Sequence, residues 1–157
     1  MNCYSSMKLD WRVLCWNVRG LNDKDKRLLI YNKIDESNCS VICLQETKCE
    51  DFDHAFIRTF CPKRFDRFVF SPSVGASGGL IVLWNSKVFE GQLLEITRSA
   101  IRISFFSAHN SDTWTLVNVY GLCNGSESIS PRCPFLVCKR HFGRCFTNGS
   151  LNLSFFM

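Results

Sequence analysis

Short runs of apolar residues without polar alternation recur along the first three quarters of the chain, and they predict buried β-strands. Runs of this kind, rich in β-branched and aromatic residues, suit strands that are covered on both faces. The predicted strands are 11–17, 41–45, 65–71, 80–84, 101–107 and 113–120. Residues 24–36 place apolar side chains at helical spacing behind Asn22 or Asp23, either of which is a good N-cap, and they predict an amphipathic helix.

The order of these elements predicts an α/β sandwich with a mixed sheet. The first strand, the helix and the second strand read as a βαβ unit, whose right-handed crossover makes the two strands parallel. Asn17 and Glu46, which end these strands, should therefore lie at the same edge of the sheet. A short helix is predicted at 51–60, and antiparallel hairpins follow it. We interpret the glycine-rich loop 73–79 as a hairpin connection and not a phosphate cradle, because a strand and not a helix follows it.

Composition excludes several classes of protein. With 157 residues, 46% of them hydrophobic, the chain can bury the core of one domain. Its net charge of +5 permits contact with nucleic acid without demanding it. The 10 cysteines could indicate a secreted disulfide scaffold, but residues 1–20 contain no signal-peptide pattern and no stretch is long enough to cross a membrane. We therefore expect free thiols and an intracellular protein of the nucleus or cytoplasm.

The segment Leu44–Lys48 is the first candidate for chemistry. Its carboxylate, Glu46, follows a buried strand, and at the edge of a sheet such a group can hold a metal ion. A hydroxyl and a lysine come next and are suited to orient the carboxylate or to meet a phosphate. The alternative is an ordinary surface or helix-entry glutamate.

Short motifs at four places resemble those of the endonuclease/exonuclease/phosphatase superfamily. They are Trp16–Leu21, Leu44–Lys48, Ser77–Leu80 and Asn118–Gly121. More narrowly, they are similar to the apurinic-type endonuclease domain of plant non-LTR (LINE-type) retrotransposons. Arg19 favours this branch, because the repair enzymes carry an acidic residue there. The resemblance covers residues 11–121 and implies the N-terminal half of a four-layered α/β sandwich with mixed β-sheets.

The resemblance also implies a site. Glu46 would bind the metal ion together with Asn17, and the metal would be Mg²⁺, with Mn²⁺ as the alternative. Tyr120, Asn17 and Lys48 would be catalytic residues: Tyr120 would face the scissile phosphate and Lys48 would position Glu46. DNA would be the partner, with no role for a membrane. Two of these residues also have structural alternatives, since Asn17 could cap the turn before Gly20 and Tyr120 could be a strand-end aromatic.

The family continues with a second half that this sequence lacks. That half contributes a Gly-Asp-Phe-Asn-like segment, a further Asp and a closing Ser-Asp-His, and the chain contains no Asp-x-Asn at all. Neither Asp53-His54 nor Ser111-Asp112 is placed to replace these groups. We therefore expect a truncated, catalytically impaired or inactive endonuclease-like domain. The alternatives are a phosphatase-branch member and a non-enzymatic member that binds nucleic acid or protein.

Residues 122–157 do not resemble the family, and we expect them to form an unrelated, disordered tail. They contain cysteines and a histidine, but the spacing matches no common zinc site. Loss of the second half would leave a sheet face and an edge uncovered, so self-association through that face is expected.

Overall fold

The structure, a computed structural model, describes residues 11–120, 135–139 and 151–156, with only the backbone described for Trp11 and for the last two segments. The strands are β1 (Trp11–Asn17), β2 (Val41–Gln45), β3 (Arg67–Ser71), β4 (Leu80–Trp84), β5 (Phe89–Ile96), β6 (Ala100–Ser107), β7 (Thr113–Val119), β8 (Phe135–Lys139) and β9 (Leu151–Phe156). The helices are α1 (Lys24–Glu36) and α2 (His54–Ile57).

The strands form two sheets, with the orders β3-β4-β2-β1-β9 and β5-β6-β7-β8. In the first sheet β1 is parallel to β2, and Asn17 is the register partner of Gln45. Strand β4 is antiparallel to both β2 and β3. In the second sheet β5, β6 and β7 are antiparallel, and β8 joins β7 in parallel. The predicted α/β sandwich with mixed sheets is confirmed.

Alternate residues of the first sheet face two separate apolar layers. On one side Leu14, Ile42 and Leu44 pack against helix residues such as Ile30 and Ile34. On the other side, side chains of β1, β2 and β4 pack against those of β6 and β7; the largest of these are Phe105 and Trp114. Helices, first sheet and second sheet are therefore three successive layers, and the carboxyl ends of β1 and β2 lie between the helical layer and the second sheet.

Most of the predicted elements have the predicted bounds. Helix α1 begins after Asp23, whose side chain accepts a hydrogen bond from the Lys26 N–H. Helix α2 is shorter than predicted, because Asp53 caps it and it ends at Ile57. Segment 73–79 is a hairpin connection as predicted, since β3 and β4 are antiparallel and Val74 bridges Ser77.

Strand β5 was not predicted. It lies at the edge of the second sheet, and all of its residues from Gln92 to Ile96 are exposed. An edge strand of this kind carries no apolar alternation to identify it. Gly91 within it is required by packing, because a Cβ there would lie 2.7 Å from the Trp84 ring.

Among the cysteines whose side chains the structure describes, all but one follow the predicted pattern. Cys39, Cys43, Cys49 and Cys61 are buried thiols outside any disulfide, so they act as small core residues. Cys15 is disulfide-bonded, which corrects the expectation that all the thiols are free. Within the described ranges no helix has the length and apolar character needed to cross a bilayer.

Two segments of the expected tail are strands. Strand β8 pairs with β7 and strand β9 pairs with β1, so 135–139 and 151–156 are parts of the two sheets. The domain boundary at residue 121 stays a prediction. The cysteines and the histidine considered for zinc lie outside the described residues, except for the backbone of Cys138 in β8.

Candidate metal and phosphate site

The chain segments that leave β1 and β2 run side by side at one edge of the first sheet. The Val18 N–H donates to the Gln45 carbonyl at 3.0 Å, and the Gly20 N–H donates to the Glu46 carbonyl at 2.6 Å. A third bond joins the Leu21 N–H to the Thr47 carbonyl at 2.9 Å. The parallel register thus continues beyond the strands, and it brings Asn17 and Glu46 to the same edge as the βαβ interpretation predicted.

The backbone at this edge adopts left-handed conformations that side chains disfavour. Arg19, Glu46 and Lys48 have φ of +53°, +55° and +55°, and within the described part of the chain Asn38 is the one other non-glycine residue with positive φ. Each such residue costs about 1–3 kcal/mol and persists only where the surrounding structure holds it in place. Strained residues of this kind concentrate at functional sites, so this clustering independently identifies the edge as the candidate site.

A pair of glycines closes the site on the side of β4. The Thr47 N–H donates to the Gly79 carbonyl at 3.1 Å, and the Lys48 N–H donates to the Gly78 carbonyl at 3.0 Å. A Cβ on Gly79 would lie 2.3 Å from Thr47 Oγ1 and 3.2 Å from the Lys48 nitrogen. The glycines thus permit a close backbone approach to the segment that carries Glu46.

The oxygen atoms at this edge suit a hard divalent cation. Glu46 is 7% exposed, and Asn17 is half-buried with an Oδ1 that accepts a hydrogen bond from the Arg19 N–H at 3.2 Å. That bond supports the turn-capping interpretation of Asn17, although an amide oxygen has a second lone pair for another partner. Among the described residues, no three His, Cys, Asp or Glu side chains are placed so that they could hold a metal ion together. The residues present fit Mg²⁺, which is commonly held by one or two carboxylates, waters and a substrate phosphate.

Lys48 and Tyr120 lie on either side of the glycine segments. The methylene groups of the exposed Lys48 cover Gly20, whose Cβ position lies 3.4 Å from Lys48 Cδ. The Tyr120 ring packs on Gly78, with Cε1 at 3.5 Å from the Cβ position there. The Tyr120 N–H donates to the Ser99 carbonyl at 2.7 Å, which ties the end of β7 to the β5–β6 turn.

Two buried amides that the sequence analysis assigned no role connect the sheets beneath the site. Gln45 Nε2 donates to Asn118 Oδ1 at 3.1 Å. Asn118 is fully buried, and its Nδ2 donates to the carbonyls of Leu44 at 3.3 Å and Ile81 at 3.4 Å. Glu46 follows Gln45, and Tyr120 lies two residues beyond Asn118. These hydrogen bonds therefore fix the position of Glu46 relative to Tyr120. The sequence feature that could have identified these two amides is a polar residue within an otherwise apolar predicted strand.

Two cations of α1 hold the loop that follows β1. Lys26 Nζ donates to the Arg19 carbonyl at 3.0 Å. Arg27 donates to the carbonyls of Leu21 at 2.8 Å and Asn22 at 2.9 Å, and its guanidinium lies over the Phe56 ring at 5.1 Å. Burial raises the pKa of the Cys49 thiol beneath this loop, so the thiol stays neutral and donates to the Thr47 carbonyl. These contacts fix the loop beside the segment that carries the Glu46 carboxylate.

The other acidic residues considered from the sequence have local structural roles. Asp53 caps α2 by accepting from the Phe56 N–H at 2.7 Å, and the His54 ring packs edge-on against Phe68. Asp112 accepts a hydrogen bond from the Asn110 side chain within the turn that precedes β7. This turn lies at the opposite end of β7 from Tyr120. The structure therefore does not bring these groups into the site.

The chain is similar to one protein family in sequence and to several solved structures in fold. A model of the Endonuclease/Exonuclease/phosphatase family matches residues 14–144. No curated protein sequence matches the chain significantly. Among solved structures, the AP endonuclease of Leishmania major has 20% identity and a TM-score of 0.55, over 71% of this chain and 40% of that protein. The human Nocturnin catalytic domain has 12% identity and a TM-score of 0.56, over 79% of this chain and 60% of that domain.

An endonuclease/exonuclease/phosphatase family protein from Bacteroides thetaiotaomicron has 9% identity and a TM-score of 0.55, over 81% of this chain and 62% of that one. At such identities the likeness shows a shared fold. The chain spans between 40% and 62% of the lengths of these relatives.

Proposed function

Because the chain belongs to the endonuclease/exonuclease/phosphatase family, we propose that it is a Mg²⁺-dependent, endonuclease-like phosphodiesterase domain of retrotransposon origin. Its 157 residues by themselves are catalytically impaired. DNA is the proposed partner, and the nucleus or cytoplasm is the proposed location. Arg19 carries the retrotransposon assignment, because it stands where the repair enzymes of the family have an acidic residue.

The observation that carries this proposal is the left-handed backbone at and around Glu46. Arg19, Glu46 and Lys48 adopt it together at the carboxyl edge of two parallel strands. Open α/β sheets bind ligands at this edge. A conformation that costs about 1–3 kcal/mol per residue is retained where function needs it.

The proposed roles follow from the chemistry of each side chain. Glu46 and Asn17 hold the metal ion, and Mg²⁺, when bound, stabilises negative charge that develops on a phosphate. Lys48, an exposed residue, offers a further positive charge to the phosphate. The Tyr120 hydroxyl donates a hydrogen bond to a phosphate oxygen. Gln45 and Asn118 hold Glu46 and Tyr120 in one arrangement.

The proposal of impaired catalysis rests on what these side chains cannot do. Phosphodiester hydrolysis needs a group that orients and deprotonates water and a group that polarises the phosphate. In the family an Asp and Asn pair and a His supply these functions, and the 157 residues contain no Asp-x-Asn. The nearest substitutes by sequence, Asp53 and His54, are occupied in capping and packing α2. Removal of one general base typically costs about 10²–10⁴-fold in rate.

Self-association is a further part of the proposal. Leu93, Leu94, Ile96 and Phe106 are between 39% and 51% exposed on β5 and β6. Among the described strands β5 ends the second sheet, so within that part of the chain it presents an edge of unpaired backbone groups next to these side chains. Sedimentation velocity at increasing protein concentration tests this, and a monomer throughout would refute it.

Calorimetric titration with Mn²⁺, a common substitute for Mg²⁺, tests the metal site. Glu46→Gln keeps the shape of the side chain and removes its charge, so it should abolish binding. Glu90→Gln makes the same change on an exposed strand residue and should leave binding intact. Equal Mn²⁺ affinity in the wild type and in Glu46→Gln would refute the assignment of Glu46.

Nicking of supercoiled plasmid in Mg²⁺ and in EDTA tests the catalytic part of the proposal. We expect no nicking above the EDTA background from the 157-residue chain. Nicking that disappears in both EDTA and Glu46→Gln would show an active enzyme and contradict the impairment. Release of phosphate from a phosphomonoester without nicking would favour the phosphatase branch of the family.

A further inference from the structure

A cleft of about 280 Å³ lies beside the metal site, between the β3–β4 connection and the β5–β6 turn. Its lining residues are Pro72, Val74, Ser77, Gly78, Gly79, Arg98, Ser99 and Tyr120. Gly78 and Gly79 form its buried part, while Val74, Ser77, Arg98 and Ser99 are exposed. The cleft is thus open to large ligands on one side and bounded by backbone on the other.

The walls of this cleft combine one cation, one aromatic ring and two serine hydroxyl groups. Within the described part of the chain, Arg98 makes no hydrogen bond or ion pair through its side chain, so its guanidinium is available to a ligand. Arginine binds phosphate groups through a planar set of donors. The Tyr120 ring offers a face for stacking, and Ser77 and Ser99 offer hydroxyl groups. A positive charge beside an aromatic ring is the combination that binds single-stranded nucleic acid.

The cleft and the metal site share one wall. The carbonyls of Gly78 and Gly79 accept hydrogen bonds from Lys48 and Thr47, the two residues that follow Glu46. Gly78 also lies next to the Tyr120 ring, which lines the cleft. A strand of nucleic acid with one phosphate at Glu46 would therefore have its neighbouring nucleotide beside the cleft. The volume is near the lower limit of about 300–1,000 Å³ for ligand pockets, which limits the occupant to about one nucleotide.

We propose that this cleft is a nucleotide subsite. It takes one unpaired nucleotide of a single-stranded or locally opened DNA strand, with the base against Tyr120 and the phosphate at Arg98. Arg98 is the residue that distinguishes this subsite from the metal site, because the metal ligands Glu46 and Asn17 do not line the cleft. The inference rests on the proposed function, since it takes the phosphate at Glu46 as its starting point.

Binding of a fluorescein-labelled pentathymidylate, measured by anisotropy in EDTA, tests the subsite without any metal or catalysis. Arg98→Gln should weaken binding about 10-fold, because a charge-assisted contact to phosphate is lost. It should also reduce the slope of log K against log salt by about 0.7, the value of one phosphate contact on a single strand. Arg67→Gln, on the exposed end of β3, is the matched control and should change affinity less than about 2-fold.

A second oligonucleotide tests the base contact. Pentathymidylate with an abasic residue at its centre should bind at least about 5-fold more weakly than the intact oligonucleotide, since a stacked base is lost. Equal affinities of Arg98→Gln and Arg67→Gln would overturn the proposal, and so would equal binding of the abasic and intact oligonucleotides.

The two proposals fail in different ways. Both hold if Glu46→Gln loses Mn²⁺ binding but keeps the oligonucleotide in EDTA, while Arg98→Gln binds Mn²⁺ normally and the oligonucleotide weakly. Normal Mn²⁺ binding by Glu46→Gln refutes the metal site alone. No binding of pentathymidylate by the wild type refutes the subsite and leaves the assignment of Glu46 to the metal site intact. Thermal unfolding of both arginine variants checks that these exposed substitutions leave the fold intact.

Discussion

Replacement of Gly79 by alanine should destabilise the protein more than any other glycine-to-alanine change in the β3–β4 connection. Gly79 has φ of +89° and no room for a side chain, because its Cβ would lie 2.3 Å from Thr47 Oγ1. The Lys48 nitrogen at 3.2 Å and Ser73 Cβ at 3.4 Å close the remaining space. Two of these neighbours are in the segment that carries Glu46, so relief of the clash must displace the site.

The expected magnitude has two parts. A left-handed conformation costs a residue with a Cβ about 1–2 kcal/mol, and insertion of a methyl group into a packed position costs about 1–3 kcal/mol more. The free energy of unfolding should therefore fall by about 2–5 kcal/mol. For a chain of this size, a loss of about 3 kcal/mol lowers the melting temperature by about 6–12 °C. Gly75→Ala is the matched control, since Gly75 has φ of +59° but nothing within 4 Å of its Cβ position.

Urea denaturation followed by tryptophan fluorescence measures both variants under the same conditions. Gly75→Ala reports the conformational cost alone, and the excess loss in Gly79→Ala reports the clash. The double variant Thr47→Ala/Gly79→Ala removes the nearest atom, and Thr47 Oγ1 makes no hydrogen bond within the described residues. Its loss in the free energy of unfolding should be at least about 1 kcal/mol smaller than the sum of the losses in the two single variants. Equal losses in Gly79→Ala and Gly75→Ala would refute the close approach of the two segments.

Asn118→Ala should lower the free energy of unfolding by about 2–4 kcal/mol in urea denaturation. The reason is the loss of three buried hydrogen bonds, which Asn118 makes to Gln45 Nε2 and to the carbonyls of Leu44 and Ile81. Arg27→Leu should weaken Mn²⁺ binding in calorimetry while Leu28→Ala, a change at an exposed residue of the same helix, does not. Burial raises the pKa of Cys61 from 9.0 to about 12. As the pH rises, the unfolded state therefore loses this proton first. The contribution of the Cys61 thiol to the free energy of unfolding is fully present below pH 9 and is lost between pH 9 and 12. Between pH 8 and pH 10.5 the wild type should lose about 2 kcal/mol more than Cys61→Ala in urea denaturation; equal losses would contradict the shift.

Local sequence patterns predict most of the first sheet. The strands β1, β2 and β4 and the helix α1 have the bounds that apolar runs, helical spacing and a cap at Asn22 or Asp23 predicted, and Asp23 is the cap. The neighbouring positions of Asn17 and Glu46 also followed from sequence, since a βαβ crossover has one hand and puts both strand ends at one edge. Strand β5 could not be found in this way, because an exposed edge strand carries no apolar alternation.

The central strands of both sheets, the family motifs and the edge that carries Glu46 can thus be deduced from the amino-acid sequence. Each depends on interactions between residues that are close along the chain or on the fixed handedness of a connection. The meeting of distant segments at that edge depends instead on the tertiary fold. The Gln45–Asn118 hydrogen bond joins residues 73 positions apart. The approach of Gly79 to Thr47, and the cleft that Arg98 and Tyr120 both line, arise where the β3–β4 connection and the β5–β6 turn converge. Such contacts are set by the packing of one sheet on another, which no local pattern of residues encodes.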